Sequence, residues 1–190
     1  MSLDALLEAF RRGEVDAAEL KRALLEHAAR DVGCANVDHQ RLLRTGHAES
    51  VYCPGKTPEQ VRTVLAELAE RSGRALATRA DAAQAAACAD LPGAAYDPVS
   101  RLITLGEPLK GRGEVLVVSA GTADLPVAQE AAGTAEFLGS RVTRRLDCGV
   151  AGIHRLFAAM EDIARARVVV AVAGMDGALA SVLGGLAPCP

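Results

Sequence analysis

Between residues 114 and 186 the chain repeats one pattern three times, a short apolar run and then a helix-forming stretch. Val115–Val118 leads to 124–138, residues 141–146 lead to 152–165, and residues 167–173 lead to 177–186. Repeated units of this kind specify parallel strands joined by right-handed crossovers, with helices on both faces of one sheet. The third run, Val168-Val169-Val170-Ala171-Val172-Ala173, is apolar at successive positions. That is the pattern of a strand buried on both faces, with a neighbour on each side. In a flavodoxin-like order the following strand supplies one neighbour, whereas here the sequence stops at Pro188-Cys189-Pro190. The sheet is therefore expected to be incomplete at its C-terminus.

The first half lacks this rhythm. Leu3, Leu6, Leu7 and Phe10 recur at the spacing of one helix face, and Gly13 ends that segment. A second helix is expected over 16–30 with Leu20, Leu24, Leu25 and Ala28 inward, then an extended loop or short strands over 33–56. Thr57-Pro58-Glu59-Gln60 reads as a helix start, with Thr57 as cap, Pro58 at the first helical position and Gln60 completing a capping box. Val61, Val64, Leu65 and Leu68 supply the apolar stripe, and Gly73 stops it. Residues 74–78 and 100–105 read as strands, 81–88 as an Ala-rich helix. The Gly and Pro density near 106–113 marks a connection. The expected organisation is an α+β N-terminal domain over 1–106, a linker over 107–113 and an α/β domain over 114–190.

Composition excludes several classes. Half the residues are hydrophobic while aromatics make up 3% with no Trp, so the core must be built from Ala, Val, Leu and Ile. Eighteen Arg and three Lys face twenty-four acids, giving a net charge of −3, which argues against a general nucleic-acid binder. Cys34, Cys53, Cys88, Cys148 and Cys189 are odd in number and lack C-x-x-C spacing, as expected of reduced cytosolic thiols. No run approaches the roughly 18 apolar residues of a membrane span. The start, MSLDALLEAFRRGEVD, carries no basic region followed by an apolar stretch and a cleavage site. A soluble cytoplasmic protein is expected. His27, His39, His47 and His154 show no metal-ligand spacing.

Ligands of parallel sheets sit at the carboxyl ends of the strands, here the loops 119–124, 147–153 and 174–177. Ser119-Ala120-Gly121-Thr122-Ala123-Asp124 has small residues opening a helix, which suits a phosphate or merely a tight turn. His154 beside Arg155 can hold a phosphate and exchange protons, or can be a solvated pair. Gly174-Met175-Asp176-Gly177 sets a carboxylate between glycines, where desolvation would raise its pKa for general-base work. Asp176 as a simple cap of the last helix is the alternative.

Three stretches carry a resemblance: V-S-A-G-T-A-D-L-P (118–126), G-V-A-G-I-H-R (149–155) and V-A-G-M-D-G-A-L-A-S-V-L-G-G-L (172–186). They resemble the C-terminal domain of the LarB family of nickel-pincer cofactor biosynthesis, itself similar to PurE-type aminoimidazole ribonucleotide carboxylases and mutases. Asp38-His39, Arg41, Arg44, Gly46 and Glu49 look like the LarB N-terminal pattern, as do Gly55-Lys56-Thr57-Pro58-Glu59-Gln60-Val61 and Ala77-Thr78-Arg79-Ala80. The purine enzyme lacks that half. The resemblance implies a flavodoxin-like, PurE-like domain and a homo-oligomer. It also implies carboxylation of the pyridinium ring of nicotinic acid adenine dinucleotide by CO2 or bicarbonate, with hydrolysis of the phosphoanhydride. The products would be pyridinium-3,5-biscarboxylic acid mononucleotide and AMP. Mg2+ could assist the hydrolysis, and no tightly bound cofactor is implied.

Carried onto this chain, Ser119, Gly121, Thr122, Asp124, Arg155, Gly174 and Gly177 would hold the nucleotide. His154 and Asp176 would be catalytic, Asp176 standing where LarB-like sequences usually have Glu. Arg41, Arg44 and Lys56 would contact phosphate or a second subunit. The resemblance implies a nucleophilic Cys beyond Pro190, matched by none of the five thiols, and so a chain continuing past this sequence. A PurE-like carboxylase acting on a purine ribonucleotide, and an inactive nucleotide-binding fragment, are the alternatives.

Overall fold

The computed structural model describes residues 3–190, apart from the side chains of Leu3, Leu25, Glu26, His27 and Leu43. The expected inward positions Leu3 and Leu25 and the His27 imidazole therefore lie outside the described residues. Helices α1 (Leu3–Arg11) and α2 (Ala17–Ala28) pack on each other. Asp16 caps α2 by accepting the Ala18 and Glu19 N–H groups, and the Glu19 carboxylate accepts the Asp16 N–H in return. Leu6 and Ala9 are buried, whereas Leu7 and Phe10 stay exposed. One helix partner covers only part of the expected apolar face. Residues 29–52 then form short elements: an antiparallel hairpin of β1 (Ala29–Asp31) and β2 (Asn36–Asp38), helix α3 (Arg41–Thr45) and strand β3 (Val51–Tyr52).

Thr57 starts α4 (Pro58–Ser72) with the expected capping box, and Gly73 ends it in a left-handed conformation. Strand β4 (Ala75–Thr78), helix α5 (Ala82–Cys88), and strands β5 (Ala94–Asp97) and β6 (Leu102–Leu105) follow. Their sheet has the order β3-β4-β6-β5, with β3 parallel to β4 and β6 antiparallel to both its neighbours. Val61, Val64, Leu65 and Leu68 of α4 are buried in a core with Ala77, Ile103 and Leu105.

Three parallel strands make the second sheet: β7 (Arg112–Ser119), β8 (Ser140–Arg145) and β9 (Val168–Val172), in the order β8-β7-β9. Helix α6 (Leu125–Phe137) covers one face, where Val117 and Val172 meet Ala128 and Ala132. The other face carries α7 (Ile153–Phe157), α8 (Met160–Arg165) and α9 (Ala178–Leu186), burying Leu116, Val118, Leu156, Ile163, Leu179 and Leu183. Helices on both faces of a parallel sheet give the flavodoxin-like, PurE-like class.

Strand β9 is covered by helices on both faces, as its apolar run led one to expect. Its valines do pack on both helical layers, Val170 and Val172 toward α6 and Val169 toward α9. It has one strand neighbour, however, because the order β8-β7-β9 leaves it at an edge, with Val168 and Ala171 exposed. The outward Val169 N–H donates instead to the Pro190 carbonyl, 2.9 Å away.

Helix α6 is shared between the sheets. Phe137 is buried against Leu76 of β4 and Leu102 of β6. Gly133 makes the close approach possible, since a Cβ there would lie 2.6 Å from the Leu102 side chain. The Arg79 Nε also lies 3.2 Å from both carboxylate oxygens of Glu130. Among the described residues no helix is long and apolar enough to cross a membrane.

Candidate functional site

The carboxyl ends of β7, β8 and β9 feed three loops whose backbones touch. Ser119 is buried at the end of β7; its carbonyl accepts the Cys148 N–H at 2.8 Å and its Oγ the Asp147 N–H at 3.3 Å. The next residue, Ala120, donates its N–H to the Val172 carbonyl at 2.9 Å. Loop one is thereby pinned between loop two and the end of β9. Gly149 sits so close to it that an added Cβ would lie 2.9 Å from the Ala120 carbonyl oxygen.

Asp124 ties the first loop to the third. Its Oδ2 accepts the Gly121 N–H and its Oδ1 the Gly174 N–H, each at 2.9 Å. Both oxygens are thus engaged by backbone donors, which makes Asp124 a clamp between loops. Thr122 is exposed at the start of the 3-10 turn Thr122–Asp124 that leads into α6.

In loop two, Asp147 adopts φ +57° and takes the Arg155 guanidinium, Nη1 to Oδ2 being 2.5 Å. His154 is exposed beside it. The single helix expected over 152–165 is broken at Ala158 and Ala159, so α7 is five residues long. A helix of that length offers an anion little dipole, and any phosphate contact falls on the Arg155 and His154 side chains. Loop three runs from Gly174 to Gly177. Met175 is 92% exposed, and Asp176 is exposed at φ +66°. Desolvation of Asp176 was the expectation; the apex of the loop holds it in solvent instead. Nor is Asp176 the cap of α9, because Gly177 occupies that place with no side-chain hydrogen bond.

The thiols near and far from this edge are quiet. Burial pushes Cys148 up, against the lowering pull of Arg155 and Arg145. Burial likewise raises Cys53, to about 11, and Cys88. A thiol so held is a poor nucleophile at neutral pH. Among the described residues no three His, Cys, Asp or Glu side chains are placed to hold a metal ion together.

The structure thus gathers Ser119, Gly121, Asp124, Gly174 and the Asp147–Arg155 pair at one edge, with His154, Asp176 and Gly177 on the two adjoining loops. The three N-terminal cations differ in their surroundings. Arg44 pairs with Asp38, the Lys56 Nζ donates to the Tyr52 carbonyl at 2.7 Å, and Arg41 is exposed on α3.

Sequence reasoning missed two buried carboxylates. Asp162 on α8 receives Arg165 at 2.7 Å and Arg145 from β8, which together hold its carboxyl below the usual carboxylate range. Glu67 is buried on α4 with the His39 Nε2 2.8 Å from one oxygen and the Arg30 Nη1 3.0 Å from the other, pinning the β1–β2 hairpin to the helix. An acid set between Leu65 and Leu68 was the available signal for the second.

Comparison with known proteins gives two findings. Residues 29–107 match the family described as the LarB/PurE-like N-terminal domain. Over an alignment of 203 residues the chain is 32% identical to "Uncharacterized protein MJ0165" of Methanocaldococcus jannaschii, covering all of this chain and 78% of that protein.

Proposed function

This chain belongs to the LarB/PurE-like family, and from that premise we propose that it acts in nickel-pincer cofactor biosynthesis. The reaction is carboxylation of the pyridinium ring of nicotinic acid adenine dinucleotide with hydrolysis of its phosphoanhydride. Pyridinium-3,5-biscarboxylic acid mononucleotide and AMP are the products. The observation that carries this reading is the joining of three strand-to-helix loops into one edge by the Asp124 clamp and the Ala120–Gly149 contact. Such an edge is where parallel sheets bind nucleotides.

A pyridinium ring is too electron-poor to attack carbon dioxide. A thiolate adding to the ring turns the neighbouring carbon into an enamine-type nucleophile, which takes up carbon dioxide. Loss of the ring proton and departure of the thiolate then restore aromaticity, and no electrons are gained or lost overall. In this chain the ring proton is assigned to Asp176, whose carboxylate is exposed at the apex of loop three. Arg155 and His154 hold the phosphates, and Arg155 is already oriented by Asp147. Small residues of loop one, Ser119 to Thr122, leave room for a phosphate beside these side chains. Burial keeps Cys53, Cys88 and Cys148 protonated, so the thiolate of this step is none of them and enters the proposal as the nucleophilic Cys that the family resemblance implies. No step is routed through Mg2+.

Exposed Ile153, Phe157 and Met175 beside the loops support assembly into a homo-oligomer at this edge. Five free thiols agree with a reducing, cytoplasmic setting.

The test incubates the protein with nicotinic acid adenine dinucleotide and bicarbonate and follows AMP release, with calorimetric binding in parallel. Release of AMP together with the biscarboxylate supports the proposal. Binding without release leaves a nucleotide-binding protein, a reading that the buried thiols favour. Turnover of aminoimidazole ribonucleotide instead would transfer the chain to the purine reaction.

A further inference from the structure

The first sheet contains its own parallel pair. β3 and β4 run side by side, Tyr52 opposite Thr78, and α4 makes the crossover between them. The segments leaving their carboxyl ends, Cys53–Thr57 and Arg79–Asp81, are therefore brought together although more than twenty residues separate them. Two motif stretches singled out in the sequence, Gly55-Lys56-Thr57 and Thr78-Arg79-Ala80, meet in this way.

Side chains at this end form an aromatic and cationic group. Tyr52 is 52% exposed, and the Arg79 guanidinium lies 5.9 Å from its ring centroid. The half-exposed phenol keeps ring surface open to a ligand beside that cation. Gln84 fixes the intervening loop by donating to the Cys53 and Lys56 carbonyls at 3.1 and 2.8 Å. Arg101 donates to the Ala80 and Arg79 carbonyls at 2.8 and 2.9 Å, and Lys56 to that of Tyr52. Of these three cations Arg79 alone has a carboxylate partner, Glu130. The partners of Lys56 and Arg101 are neutral carbonyl dipoles, which orient the charge without cancelling it. Asp81 and Glu59 are opposing charges nearby; Asp81 is occupied in capping α5, and Glu59 bonds Thr57 in the first turn of α4.

Glu130 also locates this group relative to the nucleotide edge. It lies five residues into α6, so the Arg79 guanidinium sits about 8 Å along the helix from the end that opens at loop one. A ligand long enough to reach from loop one across the start of α6 would meet the Arg79 guanidinium, which sits beside the Tyr52 ring.

We propose that Tyr52, Lys56 and Arg79 form a subsite for a nucleoside monophosphate, the base stacking on the open ring surface of Tyr52 and the phosphate meeting Lys56 and Arg79. It rests on the carboxylase reading above only in identifying that group with the adenylate half of the dinucleotide. Base-on-aromatic stacking and charge-assisted phosphate contacts are interactions of comparable weight, so each should be separable by substitution.

The experiment titrates the full chain with AMP, adenosine and ribose 5-phosphate. Tyr52→Ala is expected to weaken AMP and adenosine about tenfold while sparing ribose 5-phosphate. Lys56→Gln is expected to do the reverse, weakening AMP and ribose 5-phosphate and sparing adenosine. Both positions are at the surface, so neither change should unfold the chain; Arg79, which also holds Glu130, is left intact. AMP affinity unchanged in both variants, or no AMP binding up to about 10 mM, overturns the subsite. Tyr52-dependent AMP binding without turnover of the dinucleotide upholds the subsite and removes the reaction. Turnover that persists with Tyr52-independent AMP binding does the opposite.

Discussion

The Asp124 carboxylate reaches from the loop after β7 to the loop after β9, accepting the Gly174 N–H at 2.9 Å while its other oxygen accepts Gly121 at the same distance. Fifty residues of chain are closed by that one side chain. Each bond is charge-assisted, and Gly174 leaves room for the approach, since a Cβ there would lie 3.3 Å from the same oxygen. Asp124 therefore shapes the candidate site from within its wall.

Asp124→Asn should open this clamp. An amide offers one acceptor oxygen and turns an NH2 toward the second N–H, so one of the two bonds is lost and a donor faces a donor. A cost of about 1.5–3 kcal/mol is expected, seen as a lowered thermal midpoint. Hydrogen exchange supplies the specific check: faster exchange at Gly121 or Gly174, with the α6 interior protected as before, is the expected result. Unchanged exchange at both amides removes Asp124 from its role.

Gly149→Ala should separate loops one and two. The new methyl would meet the Ala120 carbonyl at 2.9 Å, and backbone on both sides cannot yield as a flexible side chain does. Overpacking of this kind costs about 1–3 kcal/mol. For a chain of 190 residues that lowers the thermal midpoint by roughly 2–4 °C for each kcal/mol. Scanning calorimetry reads it directly, and a midpoint equal to that of the parent would mean that the loops are free to part.

Asp162→Asn should make stability less sensitive to acid. Arg165 and Arg145 hold the Asp162 carboxyl below its ordinary range, so its contribution is complete above the unfolded-state value and is lost as pH falls through the lower folded-state value. At pH 7 the variant loses the paired charge and should be less stable by about 1–3 kcal/mol. Below about pH 4 the parent also begins to lose it, and the two denaturation midpoints should converge. A gap that stays constant from pH 7 to pH 3 would assign the loss to packing.

The parts of this fold that the sequence disclosed are those written in local pattern. The Thr57 capping box, the Val61 to Leu68 stripe and the repeated strand-to-helix units each depend on residues within a few positions of one another. What stayed hidden depends on partners distant in the chain. β5 is four residues between Gly93 and Pro98, too short to signal itself before β6 pairs with it. Val168 to Ala173 disclosed the two covered faces because both faces are packed by helices within the same repeated units. At the site, the loops were legible while the pairing within them was not: Asp147 with Arg155 and Asp124 with Gly174 follow from where turns aim side chains.

Asp176 and Arg155 can be separated by what each should change. Asp176 sits at φ +66° between Gly174 and Gly177, a left-handed conformation that Asp and Asn both tolerate, so Asp176→Asn leaves the loop in place and removes only the basic oxygen. Carboxylation should be lost, with dinucleotide affinity held within about twofold. Arg155 touches Asp147 and, under the proposed function, the phosphates. Arg155→Ala should weaken dinucleotide binding by about 1.5–3 kcal/mol, roughly ten- to a hundredfold. The loss should shrink as ionic strength rises, because the contact is charged and near the surface. Calorimetry on both variants beside AMP release distinguishes the roles. If Asp176→Asn turns over at the parental rate, Asp176 is not the base. If Arg155→Ala binds as the parent does, the guanidinium serves the Asp147 turn alone.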